Sequence, residues 1–280
     1  MNTDWDGGAS LPTRRNLRFL YSLSFIIAVL MAAASVTGLM AGTTIYPADD
    51  LFQSFVPTDI VNLLIGLPIL LGSMWLARRG RWVGLLLWPG ALFYVLYNYT
   101  VYVFAMPFNV AFLLHLTLLT LSVYTLIGLV TSIDGQTVQR RLAGSVPERV
   151  AGGILAGLGL LFFLRVIGVL GGALTSQTPV AETELALHVS DFSIAPALII
   201  GGVLLWQRKE LGYVTGLGLL FQASMLFVGL IILLLVQPFL TAAPFLLVDV
   251  VVILVLGLIC FIPFALFVRG VVSPHRSSPM

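Results

Sequence analysis

Long apolar runs alternate with short polar or turn-forming breaks along the whole chain. Eight runs are long enough to cross about 30 Å of hydrocarbon at about 1.5 Å of helix per residue. They cover 17–42, 58–77, 82–104, 108–130, 150–173, 190–206, 211–236 and 244–268. The breaks Arg78-Arg79-Gly80-Arg81, Met106-Pro107, Gln207-Arg208-Lys209-Glu210 and Gln237-Pro238 are each short enough to force an antiparallel helical hairpin. The pattern predicts an all-α polytopic membrane bundle of eight transmembrane helices.

Charge gives that bundle an orientation. Thirteen of the fourteen Lys and Arg residues fall in the N-terminal tail, the 78–81 turn, the 131–149 loop, the 208–209 turn and the C-terminal tail. With eight spans all thirteen lie on one side, and an odd count breaks the agreement. The other side carries Asp49, Asp50, Glu182 and Glu184. The positive-inside rule makes the basic side cytoplasmic, with both termini there and the bundle in the plasma (inner) membrane. Met31-Ala32-Ala33-Ala34 resembles a signal-peptide cleavage region, but the apolar run around it is too long for a typical signal core, so the first helix is read as retained. Residues 1–13 and 271–280 read as disordered cytoplasmic tails.

Composition narrows the chemistry. The chain is 59% hydrophobic and 9% charged, with mean hydropathy +1.05. A soluble domain needs about a quarter charged residues to cover its surface, so the lipid bilayer is the first partner the sequence implies. The single cysteine, Cys260, forms no internal disulfide. No CxxC, HExxH or Gly-rich phosphate loop is present, so no metal, no cofactor and no nucleic acid is expected.

Residues 14–131 can be laid against 147–270. Pro47, Asp50, Thr58 and Asp59 correspond to Pro179, Glu182, Ser190 and Asp191 at a constant offset of 132. A mid-helix proline (Pro68, Pro196), a glycine (Gly72, Gly201) and a basic turn (Arg79, Arg208) follow in the same order, and Pro107-Phe108 and Pro238-Phe239 precede the fourth helix of each half. The expected organisation is two tandem four-helix repeats, 14–131 and 147–270, joined by a cytoplasmic linker at 132–146. An even number of helices per repeat makes the halves parallel, related by a pseudo-twofold axis along the membrane normal. Duplicated bundles also occur outside transporters, so the architecture alone does not name a function.

Ionisable groups at membrane depth are costly unless paired or wetted, and each needs a reason. His115, Arg165 and Asp249 lie inside apolar runs, and Asp59, Asp191 and His188 at helix entrances. Asn62, Tyr97, Asn98, Tyr99 and Tyr102 fall in the same outer third. As a binding site, Asp59, Asn98, His115, Arg165, Asp191 and Asp249 would line a cavity open to the extracytoplasmic side. Such a cavity suits a small polar or cationic solute, a zwitterion or a lipid head group, and His115 adds a proton-exchanging group. As structure alone, Asp59 and Asp191 would cap helix N-termini, Arg165 would neutralise Asp249 or Asp191, and His115 would be a hydrogen-bonded packing residue. Tyr94, Tyr97, Asn98 and Tyr102 share one helix face, the outermost as interface anchors. Gly153/Gly157, Gly168/Gly172 and Gly212/Gly216 allow close helix approach, within the bundle or in a homo-oligomer.

A small-solute or ion permease is the first reading. A non-catalytic subunit or assembly factor of a membrane complex, and a membrane-embedded enzyme acting on a lipid-linked substrate, remain alternatives. The enzyme reading is the weaker, because no nucleophile–base motif or metal triad is identifiable.

Overall fold

A computed structural model describes residues 11–240 and 245–272. Its helices are α1 (Arg18–Met40), α2 (Gly42–Ile45), α3 (Asp49–Val61), α4 (Leu67–Arg78), α5 (Trp82–Ala105), α6 (Val110–Ser132), α7 (Gly135–Leu142), α8 (Glu148–Ser176), α9 (Glu182–Trp206), α10 (Glu210–Leu240) and α11 (Leu247–Val272). A π-helical segment, Asn62–Gly66, joins α3 to α4 into one continuous 30-residue rod. The widened turn precedes Pro68, which has no N–H to close a normal turn, so the chain there relaxes to a longer loop.

Seven of these rods are long and apolar enough to cross a membrane: α1, α3–α4, α6, α8, α9, α10 and α11. The protein is a helical, multi-pass membrane bundle. The 24-residue α5 is as long but falls outside that set, because Tyr94, Tyr97, Asn98, Tyr99 and Tyr102 interrupt its apolar run. Its place in the fold explains the polarity. It packs against α4, α6, α9 and α10 and is buried along most of its length, so its polar groups meet other side chains rather than lipid.

Several boundaries differ from the sequence expectation. The second and sixth spans, read as starting at 58 and 190, begin at Asp49 and Glu182. Asp59 and Asp191 therefore sit about 15 Å inside their helices and do not cap them. Pro238 lies within α10 rather than ending it. The 132–146 linker is partly helical: α7 turns Gly135, Val138 and Leu142 inward and packs against α10. Residues 1–10, 241–244 and 273–280, which include most of both expected tails and Pro244, lie outside the described residues.

Two glycine-on-glycine contacts bring helix backbones close together. A methyl group on Gly90 of α5 would strike the backbone of Gly218 on α10, and one on Gly152 of α8 would strike Gly202 on α9. These crossings use glycines outside the three spaced pairs. Gly212 lies against the α9 backbone and Gly153 against the Trp206 ring, but Gly157, Gly168 and Gly172 have open space around them.

The hairpin turns α4–α5 and α9–α10 are built alike. Arg81 N–H donates to Leu76 O and Gly80 N–H to Ala77 O; Lys209 N–H donates to Leu204 O and Arg208 N–H to Leu205 O. Gly80 (φ 74°) and Arg208 (φ 57°) hold the same left-handed position. A left-handed arginine is strained by roughly 1–2 kcal/mol. Its carbonyl is held by Gln139 Nε2 at 2.6 Å.

Contacts gather the basic segments at one end of the bundle. Arg14 pairs with Asp134 at 3.2 Å, Arg141 covers the Trp82 ring, and Arg208 approaches the buried Glu148, which also accepts from Tyr213 Oη at 3.0 Å. The opposite end carries Asp49 and Asp50 in the first turn of α3, and Glu182 and Glu184 in the first turn of α9.

Candidate functional site

A cavity of about 400 Å³ lies in the half of the bundle away from the basic end, walled by α3, α5, α8, α9 and α10. Ligand pockets span about 300–1,000 Å³, so it is large enough for one small organic molecule. Its polar wall is Tyr97, Asn98, Arg165, Asp191 and Gln222; the remainder is chiefly aromatic and aliphatic, including Phe55, Phe162 and Phe227.

Arg165 and Asp191 form its charged feature. One turn after another of α8 and α9 lies in contact through the Gly152–Gly202 crossing, which brings the two helices together along their length. Arg165 Nη1 stands 3.4 Å from Asp191 Oδ2, and Tyr97 Oη donates to Asp191 Oδ1 at 3.0 Å. The carboxylate is nearly buried, with 7% of its side-chain surface exposed, whereas the guanidinium side chain is 56% exposed. Asn98 Nδ2 donates to Tyr94 O at 3.0 Å. Gln222 is fully buried, and both its amide atoms lack a protein partner. An amide with neither donor nor acceptor satisfied is expensive in an apolar setting, which singles Gln222 out on this wall.

Asp59 lies apart from the cavity, 1% exposed. Tyr46 Oη donates to its Oδ2 at 2.6 Å and Tyr102 Oη to its Oδ1 at 2.8 Å. Gly38 of α1 makes the room: a methyl group there would collide with both Asp59 Oδ2 and Tyr46 Oη. One residue beyond α3, Asn62 Oδ1 accepts from Tyr94 Oη at 2.8 Å. His115 is 2% exposed, with its ring 4.7 Å from that of Tyr102 and 5.6 Å from that of Tyr99; its Nδ1 has no partner. Tyr102, expected as an interface anchor, is instead a buried donor between cavity and carboxylate.

Of the six residues singled out in sequence, the structure brings Asn98, Arg165 and Asp191 to one cavity. Asp59 and His115 form an adjoining cluster behind Tyr102. Asp249 joins neither: α11 starts at Leu247, so Asp249 is in its first turn and exposed, and the partner of Arg165 is Asp191. Two participants escaped the sequence reading. Gln222 left a usable signal, a lone amide inside the apolar run of α10. Tyr46 left none, since nothing in an outer loop marks a tyrosine that folds back onto a helix thirteen residues later.

Among the described residues, no group of three or more His, Cys, Asp or Glu side chains is placed to hold a metal ion. Compared with known proteins, the chain matches no family model, no curated relative and no solved structure.

Proposed function

We propose that this protein is a small-solute permease of the plasma (inner) membrane, built from two parallel four-helix repeats, 14–131 and 147–270, with α5 as the eighth span. Both termini and the linker at 132–146 are cytoplasmic, and the cavity faces the extracytoplasmic side. The observation that carries the reading is a cavity lying between the halves, with the Arg165–Asp191 pair in its wall.

Several features support the repeat. At an offset of 128, Gly80 corresponds to Arg208, with the same backbone hydrogen bonds, and Pro68 to Pro196. Gly90 and Gly218 share that offset and touch each other, as two equivalent residues do on a pseudo-twofold axis. The axis then runs through the α5–α10 crossing, between the 400 Å³ cavity and an apolar pocket of about 240 Å³ that includes Gly90, Gly201 and Gly218. A permease needs such a seam between rigid halves.

The cavity lining holds one cation and one anion, already paired. A simple ion would leave that pair unmatched. A zwitterion with an apolar body would engage both charges and the aromatic wall. In a thermal-shift screen of zwitterions, organic cations and organic anions, zwitterions should stabilise the purified protein and then exchange by counterflow in proteoliposomes. Arg165→Met and Asp191→Asn should abolish both effects, and Asp249→Asn should leave them intact. Equal response to all three classes, or exchange insensitive to Asp191→Asn, overturns the reading.

A further inference from the structure

Counted from the acidic end, the carboxylates Asp59 and Asp191, one in each half, each lie about 15 Å along their helices. Their surroundings have diverged. In the second half, α8 packs on α9 and delivers Arg165 to Asp191. In the first half, α1 packs on α3 and delivers Gly38 and Ser35; beyond Arg18, at its basic end, α1 has no cationic residue. Asp59 has no ion-pair partner among the described residues.

A buried carboxylate without a counter-charge is strongly disfavoured, and in such a setting the group takes up a cation or a proton. Tyr46 and Tyr102 direct their hydroxyl hydrogens at the two carboxylate oxygens, which leaves a metal cation little free oxygen to coordinate. Beside the same carboxylate, Ser35 Oγ is buried with no hydrogen bond made, and it can accept from a neutral carboxyl. Tyr102 connects the two places: it is among the residues lining the cavity, and its hydroxyl touches Asp59.

We propose that Asp59 is a proton-binding site, loaded from the cavity through the Tyr102 hydroxyl. The proton supplies transiently in the first half the positive charge that Arg165 supplies permanently in the second. Loading converts the Asp59 carboxylate to the carboxyl; release returns the proton along the same phenol. The ionisable groups facing this cluster are few. The chain before α3 gives Tyr46, α5 gives Tyr94, Tyr99 and Tyr102, and α6 gives His115 against the Tyr99 and Tyr102 rings. On α9, Asp191 is held by Arg165 and Tyr97, and His188 lies beside Glu184. The ionisable residues of α10, Glu210 and Tyr213, lie at the basic end. Proton binding stands on this geometry alone; its coupling to solute movement rests on the permease reading.

Infrared difference spectroscopy on the full-length protein in nanodiscs tests it, following the carboxyl C=O stretch as pH falls from about 9 to about 4. One band from a water-shielded carboxyl should appear in the wild type and in Asp191→Asn, and be lost in Asp59→Asn. Tyr102→Phe keeps the carboxyl, so its band should persist at a shifted frequency, with hydrogen–deuterium exchange slowed several-fold. This second variant carries the test if Asp59→Asn does not fold. A band surviving in Asp59→Asn, a response to sodium rather than pH, or no response at all overturns the proposal. The band without solute binding would leave the proton site standing and remove the permease; counterflow without the band would do the reverse.

Discussion

Arg165 and Asp191 differ in how far each is from water, and that difference sets the cost of losing either one. Arg165→Met strands a nearly buried carboxylate, at a cost of about 1–3 kcal/mol after allowing for the exposed guanidinium. Asp191→Asn leaves an arginine that still reaches water or head groups, and an amide oxygen that still accepts from Tyr97, so the loss is under about 1 kcal/mol. Thermal unfolding in detergent should show the larger drop for Arg165→Met, with Asp191→Asn added on top restoring part of it. Gly38→Ala tests the other carboxylate. A methyl group there collides with Asp59 and Tyr46, and overpacking costs about 1–3 kcal/mol, whereas Gly72→Ala points into open space and should be neutral. Arg165 was legible in sequence because ionisable residues inside apolar runs are rare, and Asp59 and Asp191 because they recur at one offset at two expected helix entrances. Their partners were not, because nothing in the pattern says which helix face meets which. Asp249 misled for a local reason: Phe245-Leu246-Leu247-Val248 reads as helix, but regular structure starts only at Leu247.

At the scale of elements, the turns at 79–81 and 207–209 could be read directly, since charge and glycine interrupt apolar runs there. The starts of α3 and α9 could not. Their first two turns carry Ser54 and Thr183, which read as loop but line the cavity instead of meeting lipid. The α5–α10 crossing gives a sharp contrast between glycines. Gly90→Val or Gly218→Val places a side chain against the opposing backbone and should abolish the folded gel-filtration peak, while Gly157→Val should retain it. The N-terminal strap offers a pH test. Asp134 N–H donates to Pro12 O at 2.7 Å and Arg14 N–H to Ser132 O at 2.8 Å. The Thr137 hydroxyl and then Arg14 hold the Asp134 carboxyl below the usual carboxylate range. A depressed carboxyl contributes above its unfolded pKa of about 3.9 and loses that contribution as pH falls through the lower folded value. Amide exchange at Arg14 and Asp134 should therefore stay protected through neutral and mildly acidic pH and rise only in stronger acid. Thr137→Ala should move that rise to higher pH.

For the whole molecule, the status of α5 decides the topology. Seven crossings would put the first and last helix ends on opposite sides of the membrane, and eight put them on the same side. The proposed eight crossings rest on packing: Arg14 reaches Asp134 after α6, and Gly270 at the end of α11 lies against Ser145, so the chain before α1, the linker and the end of α11 meet at one end of the bundle. The α5 run fails only in apolarity, and it is the helix best shielded from lipid, where apolarity is least required. The sole cysteine, Cys260, is buried at 1% exposure, so engineered cysteines can be read against a silent background. In sealed right-side-out vesicles treated with a membrane-impermeant thiol reagent, Thr178→Cys in the α8–α9 turn should label at once. Arg15→Cys, Gln136→Cys and Arg269→Cys should label only after the vesicles are opened. Labelling of Arg15→Cys and Arg269→Cys from opposite sides would establish seven crossings, remove α5 as a span and end the parallel-repeat argument. Labelling of all three basic-end positions from outside would keep eight crossings and invert the protein, turning the cavity toward the cytoplasm.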